Sequence, residues 1–444
     1  MSIMATDSLD RRAFLRRSGR AAAAAGLILS GFDHRSYAKN ETLGAACIGF
    51  NGRGQEHIKK CLTMKNVALV ALCDVDHKVL DHAVESVGKK TGHDPKPYTD
   101  LRKVLEDKDV DVVFTATPNH WHALVTIWGV QAGKDVYVEK PACWSVAEGE
   151  AMMAAQAKYN RVVQVGHNVE RAAKSAREAV GRVWAGQIGD VYLSRGLCYK
   201  ERRSIGIIPD SQAPATLDWN LWQGPAKRRP FSARYVHYNW HWFWDFGCGD
   251  IGNQGVHQMD MARWLLHKEL PASITSAGGR FGYKDDGQTP NTQFSTFHYP
   301  DGVELEFEVR GLPTNAEAGV KIGTLVYGAK GWLSEGDKWQ ARDENGPLPV
   351  PAGPLPAVGG AGGDHFQNFI DVVRSRKMSD LTCPVREGVR SAQLCALANI
   401  AYRCGRTLTF DPATMTFPGD EAANALLRRH DSPAEFAVPE ADKV

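Results

Sequence analysis

From residue 43 onward, short apolar runs alternate with amphipathic stretches. Residues 43–49 read as a buried strand and 54–64 as a helix. A second strand follows at 68–73, with helical patterns at 77–88 and 100–106. The alternation continues as strand 110–116, helix 121–132, strand 135–138, helix 146–159 and strand 162–165. Strands alternating with helices predict a parallel sheet covered on both faces.

Beyond about residue 166 the rhythm changes. A helix is expected at 172–183. Longer runs of alternating polarity at 190–199, 273–281, 292–299, 303–310 and 321–327 predict strands with one more polar face. Asp301-Gly302 between two of them is a hairpin signal. An aromatic segment fills 214–266, a Pro/Gly/Ala loop 347–363, and helices are expected at 365–376 and 385–404. The expected fold class is α/β. An N-terminal Rossmann parallel sheet occupies residues 39–166, and a C-terminal α+β domain with a large, mainly antiparallel open sheet occupies 167–444.

Composition narrows the class without naming a function. The 444 residues are 43% hydrophobic and 23% charged, which excludes a disordered chain, a collagen-like fibre and a polytopic membrane protein. A formal net charge of +2 is too small to predict nucleic-acid or anionic-membrane binding. Where that charge sits matters more. Asp10-Arg11-Arg12-Ala13-Phe14-Leu15 opens a basic region that passes into Ala21 to Leu29 and closes with Ser36-Tyr37-Ala38. A basic start, a short apolar stretch and small residues form an export signal, and the paired arginines resemble the twin-arginine (Tat) class. The apolar run is shorter than the roughly 20 residues that span a bilayer, so no membrane anchor is expected. Cleavage after Ala38 removes six arginines and three aspartates, leaving 406 residues at a net charge of −1. Periplasmic or secreted localisation, by way of the Tat machinery, follows as an expectation. Nine scattered cysteines without a Cys-x-x-Cys pair argue against a disulfide framework or a structural zinc site.

Three stretches carry candidate chemistry. Gly49-Phe50-Asn51-Gly52-Arg53-Gly54 joins the first strand to the first helix, where glycines permit close approach of a pyrophosphate. Asn51 stands where the strict pattern has its middle glycine. Asp74 ends the second strand, placed to bind ribose hydroxyls and to repel a 2′-phosphate, which favours NAD over NADP. Thr117-Pro118-Asn119-His120-Trp121-His122 and Glu139-Lys140-Pro141 fall at the ends of the third and fourth strands, where doubly wound sheets bind ligands. His120 and His122 lack the accompanying Cys, Asp or Glu set of a metal site, so no metal is expected.

In this order and on these strand ends, the motifs resemble the Gfo/Idh/MocA oxidoreductases, named for glucose–fructose oxidoreductase and inositol dehydrogenase. The resemblance runs from about Leu43 to the C-terminal helices. It implies a tightly bound NAD held by Gly49, Asn51, Gly52, Arg53, Gly54, Asp74, Thr117, Pro118, Asn119, His122, Glu139 and Lys140. Lys140 is implied to contact the nicotinamide ribose and the reacting hydroxyl, and Pro141 matches a family proline often found in a cis peptide. Asn253-Gln254-Gly255-Val256-His257-Gln258-Met259-Asp260 resembles the family's Asp-x-Gly-x-His-x-x-Asp segment. Asn253 replaces an aspartate and cannot accept a proton, so Lys140 and His257 are the expected proton-transfer groups, with Asn253 orienting a sugar hydroxyl. Five of the twelve tryptophans lie between 219 and 244, interleaved with hydrogen-bonding side chains that suit sugar faces. Tyr235, His237, Trp240 and Asp260 are the expected substrate contacts.

The expected function is NAD-dependent oxidation or reduction of a hydroxyl/ketone on a sugar or sugar derivative, in a homo-oligomer (dimer or tetramer). One alternative is a glycosidase or lyase that oxidises the sugar transiently, with no net redox. Another is a non-catalytic sugar-binding protein.

Overall fold

The computed structural model describes residues 41–167 and 170–444; the expected export signal lies outside the described residues. The chain begins with β1 (Leu43–Ile48), whose six small or apolar residues are all buried. A turn leads to α1 (Gly54–Cys61), then β2 (Val67–Cys73), α2 (His77–Thr91), the short edge strand β3 (Lys96–Tyr98), α3 (Leu101–Glu106), β4 (Val112–Thr115), α4 (His122–Gln131), β5 (Asp135–Val138), α5 (Val146–Tyr159) and β6 (Val163–Val165). These strands form one parallel sheet in the order β3-β2-β1-β4-β5-β6. The order reverses between β1 and β4, which opens a crevice at their C-terminal ends.

Local chemistry sets the helix ends. Asp76 caps α2 by accepting from the Lys78 amide, and Gly92 closes that helix in the left-handed conformation at φ 77°. Ser145 and Glu148 form a reciprocal capping box at the start of α5. The strand pattern did not predict β3, because three residues including Pro97 carry almost no periodic signal; proline is tolerated there because the strand is an edge.

The second sheet is built from β7 (Val191–Cys198), β8 (Ser273–Gly279), β9 (Thr292–His298), β10 (Glu304–Arg310), β11 (Ile322–Gly328), β12 (Gly331–Ser334), β13 (Arg342–Asp343), β14 (Gly346–Pro347) and β15 (Leu408–Thr409). Its order is β14-β13-β12-β11-β7-β10-β9-β8-β15. All pairs are antiparallel except β7 with β10, so the sheet is mixed and mainly antiparallel. Alternation along β9 and β10 turns Phe297, Leu305, Phe307 and Val309 inward, while Glu304, Glu306, Glu308 and Arg310 point away. The helices of this half are α6 (Lys174–Trp184), α7 (Trp219–Gln223), α8 (Gly249–Asn253), α9 (Gly255–Leu266), α10 (His365–Ser375), α11 (Val385–Cys404) and the single turn α12 (Glu421–Asn424). Val256, Met259 and Ala262 of α9 pack with Leu394, Leu397 and Ile400 of α11 against the inner face of the sheet. Truncating a fully buried anchor such as Phe307 to alanine costs about 3–5 kcal/mol.

The two sheets do not have separate cores. Cys383, Val385, Val389, Ala392 and Val444 join the cluster beneath β5 and β6, and the Val165 amide donates to the Cys383 carbonyl at 3.0 Å. The aromatic segment also returns to the first sheet, where the His77 amide donates to the Thr216 carbonyl and the Asp218 amide to that of Val75, both at 2.9 Å. It therefore walls one side of the crevice. The nine cysteines are free and all but Cys404 are buried, as small apolar fillers. Among the described residues, no helix is long and apolar enough to cross a membrane.

Candidate functional site

The site starts at the turn after β1. Gly49 takes φ 72°, and a Cβ there would press on Thr117 at 3.0 Å, so the loops after β1 and β4 approach as closely as glycine allows. A Cβ on Gly54 would overlap the Gly49 carbonyl, so α1 can begin there only without a side chain. The space beside Gly52 is open. At the end of β2, Asp74 accepts from the amides of Phe50 and Asp76, each at 3.1 Å. Burial pushes its pKa up, against the pull of those two amides.

These elements border a cleft of about 270 Å³. Its floor includes Gly49 to Arg53, Asp74, Thr117 to Asn119, His122, Glu139 and Lys140. Its other wall includes Trp222, His237, Tyr238, Trp240, His241 and Asn253. The residues fit a dinucleotide. Gly52 leaves room where a side chain would fill the cradle, the Asp74 carboxylate is fixed at the strand end, and Asn119 Oδ1 is buried without a hydrogen-bond partner.

Glu139 does not face a ligand alone. Its Oε1 accepts from Arg53 Nε at 2.8 Å and lies 3.1 Å from His57 Nε2. Burial opposes its charge, but His57 and Arg53 outweigh burial and hold the carboxyl well below the usual carboxylate range. The next residue, Lys140, precedes Pro141 in a cis peptide. Its Nζ donates to the Asn253 carbonyl at 2.6 Å, and burial lowers its pKa against the attraction of Glu139. His122 sits between two main-chain carbonyls, with Nδ1 2.7 Å from Pro141 O and Nε2 2.8 Å from Thr117 O. It shapes the loop that presents Lys140.

Across from Lys140, the Tyr238 hydroxyl accepts from Arg202 Nη1 at 3.2 Å and from Asn253 Nδ2 at 3.4 Å, leaving its own proton to donate. Arg202 is held by a two-pronged pair with Asp250, at 2.7 and 2.9 Å. His241 stacks on Trp240 at 3.6 Å, and its Nδ1–H donates to the Tyr238 carbonyl, 2.6 Å away. Burial pushes its pKa down to about 3, so it is a neutral ring.

The structure brings the cofactor residues expected from sequence to this cleft, apart from Gly54, which sits just behind its turn. Asn253, His237 and Trp240 also line it, with His237 Nε2 3.3 Å from Asp76 Oδ2 on the Asp74 side. The other expected residues are not among those that line the cleft. Tyr235 is buried in the aromatic core against Phe243 and Phe246, at ring distances of 4.7 and 5.1 Å, and does not line the cleft. Asp260 is wholly buried, with both oxygens bound by Arg171 at 2.7 and 2.9 Å and one also by the Ser391 hydroxyl at 2.7 Å. No surface of it is left for a substrate. His120 is a core histidine, its nitrogens 3.3 and 3.0 Å from the carbonyls of Phe246 and Trp222. His257 lies four residues beyond Asn253, and its Nδ1 meets Glu170 Oε2 at 3.0 Å rather than the cleft floor. Sequence reasoning missed Arg202 and Glu170 as site residues, since isolated charges in loops and strand ends carry no spacing signal. Tyr238 and His241 lay within the aromatic segment that pointed to a cleft wall.

Comparison with known proteins places this geometry. The profile of an oxidoreductase family's NAD-binding Rossmann fold matches residues 43–167, and that of its C-terminal alpha/beta domain matches residues 204–436. A glycosyl hydrolase family 109 protein of Shewanella baltica is 31% identical over 170 residues, covering 32% of this chain and 37% of that protein. The chain thus matches about a third of that relative's length. The WlbA dehydrogenase from Bordetella pertussis, solved with NADH and UDP-GlcNAcA, superimposes with a TM-score of 0.63 at 18% identity, over 84% of this chain and 99% of that one. An aldose-aldose oxidoreductase from Caulobacter crescentus, complexed with glycerol, gives a TM-score of 0.58 at 20% identity, over 83% of this chain and 100% of its own. At those identities the two structures share the fold. With the glycine turn, Asp74 and Lys140 gathered at one crevice and the family's two domains matched in sequence, the chain belongs to the Gfo/Idh/MocA oxidoreductase family and carries its NAD-binding Rossmann fold.

Proposed function

We propose that the protein is an exported NAD-dependent oxidoreductase acting on a hydroxyl/ketone of a sugar or sugar derivative. The observation that carries this reading is the placement of the Lys140 ammonium. It meets Asn253 at 2.6 Å in the same cleft that holds the glycine turn and Asp74. NAD, when bound, supplies the hydride acceptor. Gly49 to Arg53 and Asp74 would hold its pyrophosphate and ribose, and the Asp74 charge would disfavour a 2′-phosphate. Lys140 binds the reacting oxygen and lowers the cost of removing its proton, and His257 receives that proton. Tyr238 and Asn253 orient neighbouring hydroxyls, while Trp240 and His241 offer a stacked face to sugar C–H groups. Residues 1–38 direct Tat export, and the folded protein leaves the cytoplasm with its cofactor bound. Tyr192, Phe294 and Ile322, exposed on β7, β9 and β11, support association into a homo-oligomer through the second sheet.

The test is to supply sugars with NAD and follow absorbance of the reduced cofactor together with the ketone formed. Export is tested by the mature N-terminus recovered from the periplasm, in cells with and without Tat.

The match to a family 109 glycosyl hydrolase favours a second reading, in which sugar oxidation is transient and ends in cleavage of a glycosidic bond. Under it, glycosides are cleaved with no accumulation of reduced cofactor.

A further inference from the structure

The residues around His257, four positions along the chain from the cleft residue Asn253, form a second cluster of ionisable groups. His257 Nδ1 and Glu170 Oε2 are 3.0 Å apart, with 12% and 13% of their side-chain surfaces exposed. The His167 ring packs edge-on to His257 at 5.4 Å, and neither His167 nitrogen has a hydrogen-bond partner among the described residues. Arg171 and Asp260 lie beneath, locked in their ion pair. Glu335 accepts from the Thr324 amide at 3.1 Å and stands near enough to Glu170 to be pushed up to about 7 by burial and that neighbouring charge.

We propose that Glu170 is the positioning residue of His257, supplying from the loop after β6 the carboxylate that Asn253 cannot provide. The inference rests on His257 being a proton-transfer group, as in the function proposed above. The chemistry of the contact is one-sided. A carboxylate only accepts, so Nδ1 must carry the proton, and the imidazole lone pair is left on Nε2. Among the described residues Nε2 has no hydrogen-bond partner. When Nε2 takes a proton from a substrate hydroxyl, the resulting imidazolium is stabilised by the Glu170 charge. That charge is itself secured: burial opposes it, but His257 and its hydrogen bond hold the Glu170 carboxyl below its usual range. The other candidates do not compete for the contact. Asp260 is occupied by Arg171 and Ser391, and the Asn253 amide is turned to Tyr238.

The test is nitrogen NMR of histidine-labelled protein combined with steady-state kinetics on the wild type, Glu170→Gln and Glu170→Asp. The expected result is a His257 ring protonated at Nδ1 in the wild type, with that preference lost in Glu170→Gln. Alongside it kcat falls about 10- to 100-fold, KM for the sugar stays within about twofold, and the acid side of the kcat pH profile changes shape. Glu170→Asp recovers part of the loss. A Glu170→Gln protein with the wild-type tautomer, kcat and pH profile overturns the inference. A wild type with the expected tautomer but no turnover of any sugar or glycoside overturns the functional reading instead, and the catalytic role of the pair falls with it.

Discussion

The Lys140 ammonium donates to the main-chain carbonyl of Asn253 at 2.6 Å, joining the end of β5 to the end of α8 across the cleft. A lysine that would otherwise sample many rotamers is fixed at the floor of the site. Its partner is a neutral carbonyl, so the positive charge is not cancelled there. Burial lowers its pKa, which eases proton transfer to and from a bound oxygen.

Replacing Lys140 by alanine therefore removes both the fixed charge and a proton-transfer group. Turnover is expected to fall about 10²–10⁴-fold, while thermal unfolding stays close to wild type. Steady-state kinetics with a calorimetric scan separates these outcomes. A Lys140→Ala variant of undiminished kcat contradicts the assignment.

Asp74 is held by two amides and presents its charge where a ribose diol would bind. Asp74→Ala should weaken NAD binding about 10- to 100-fold, corresponding to lost hydrogen bonds to a charged group. The same change removes the repulsion of a 2′-phosphate, so NADP should lose less affinity than NAD. Titration calorimetry with both cofactors measures the ratio.

Asp260 tests the difference between a substrate contact and a core ion pair. Its replacement by alanine leaves Arg171 buried beside Glu387 and Arg263 with one carboxylate fewer. Loss of a buried partner of this kind is expected to cost about 3–5 kcal/mol of stability. The fraction that remains folded should keep its KM for sugar, measured well below the lowered midpoint.

Four buried histidines give the fold an acid limit. Burial pushes His120, His241 and His365 down to about 3 and His167 down to about 4. The unfolded chain takes up these protons near pH 6.5, before the folded chain does, so stability declines as pH falls below that value. Each ring contributes up to about 1.4 kcal/mol per pH unit until its folded pKa is reached. Denaturant midpoints between pH 7 and 4 should slope accordingly, and His120→Gln should flatten the slope.

The parallel sheet was legible because β1, β2, β4 and β5 are continuous apolar runs between amphipathic helices, and a buried parallel strand needs little else. The glycine turn, Asp74 and Lys140 were legible for a related reason. A pyrophosphate, a ribose and a strand end impose residue types at fixed positions along one unit of chain. What sequence could not convey is convergence from far apart. Arg171 and Asp260 are separated by 89 residues and Glu170 and His257 by 87, and nothing local distinguishes Asp260 as a core partner from Asp260 as a ligand contact. Tyr235 failed likewise: its neighbours Trp240 and Tyr238 reach the cleft, while its own ring packs into the interior.

The most direct measurement is of the cofactor itself. Purified protein is denatured and the released NAD(H) assayed, and protein freed of it is titrated with NAD. The account predicts either near-stoichiometric release or saturable rebinding of one NAD per chain, abolished or weakened by Asp74→Ala. Protein that neither releases nor binds a nicotinamide cofactor contradicts it.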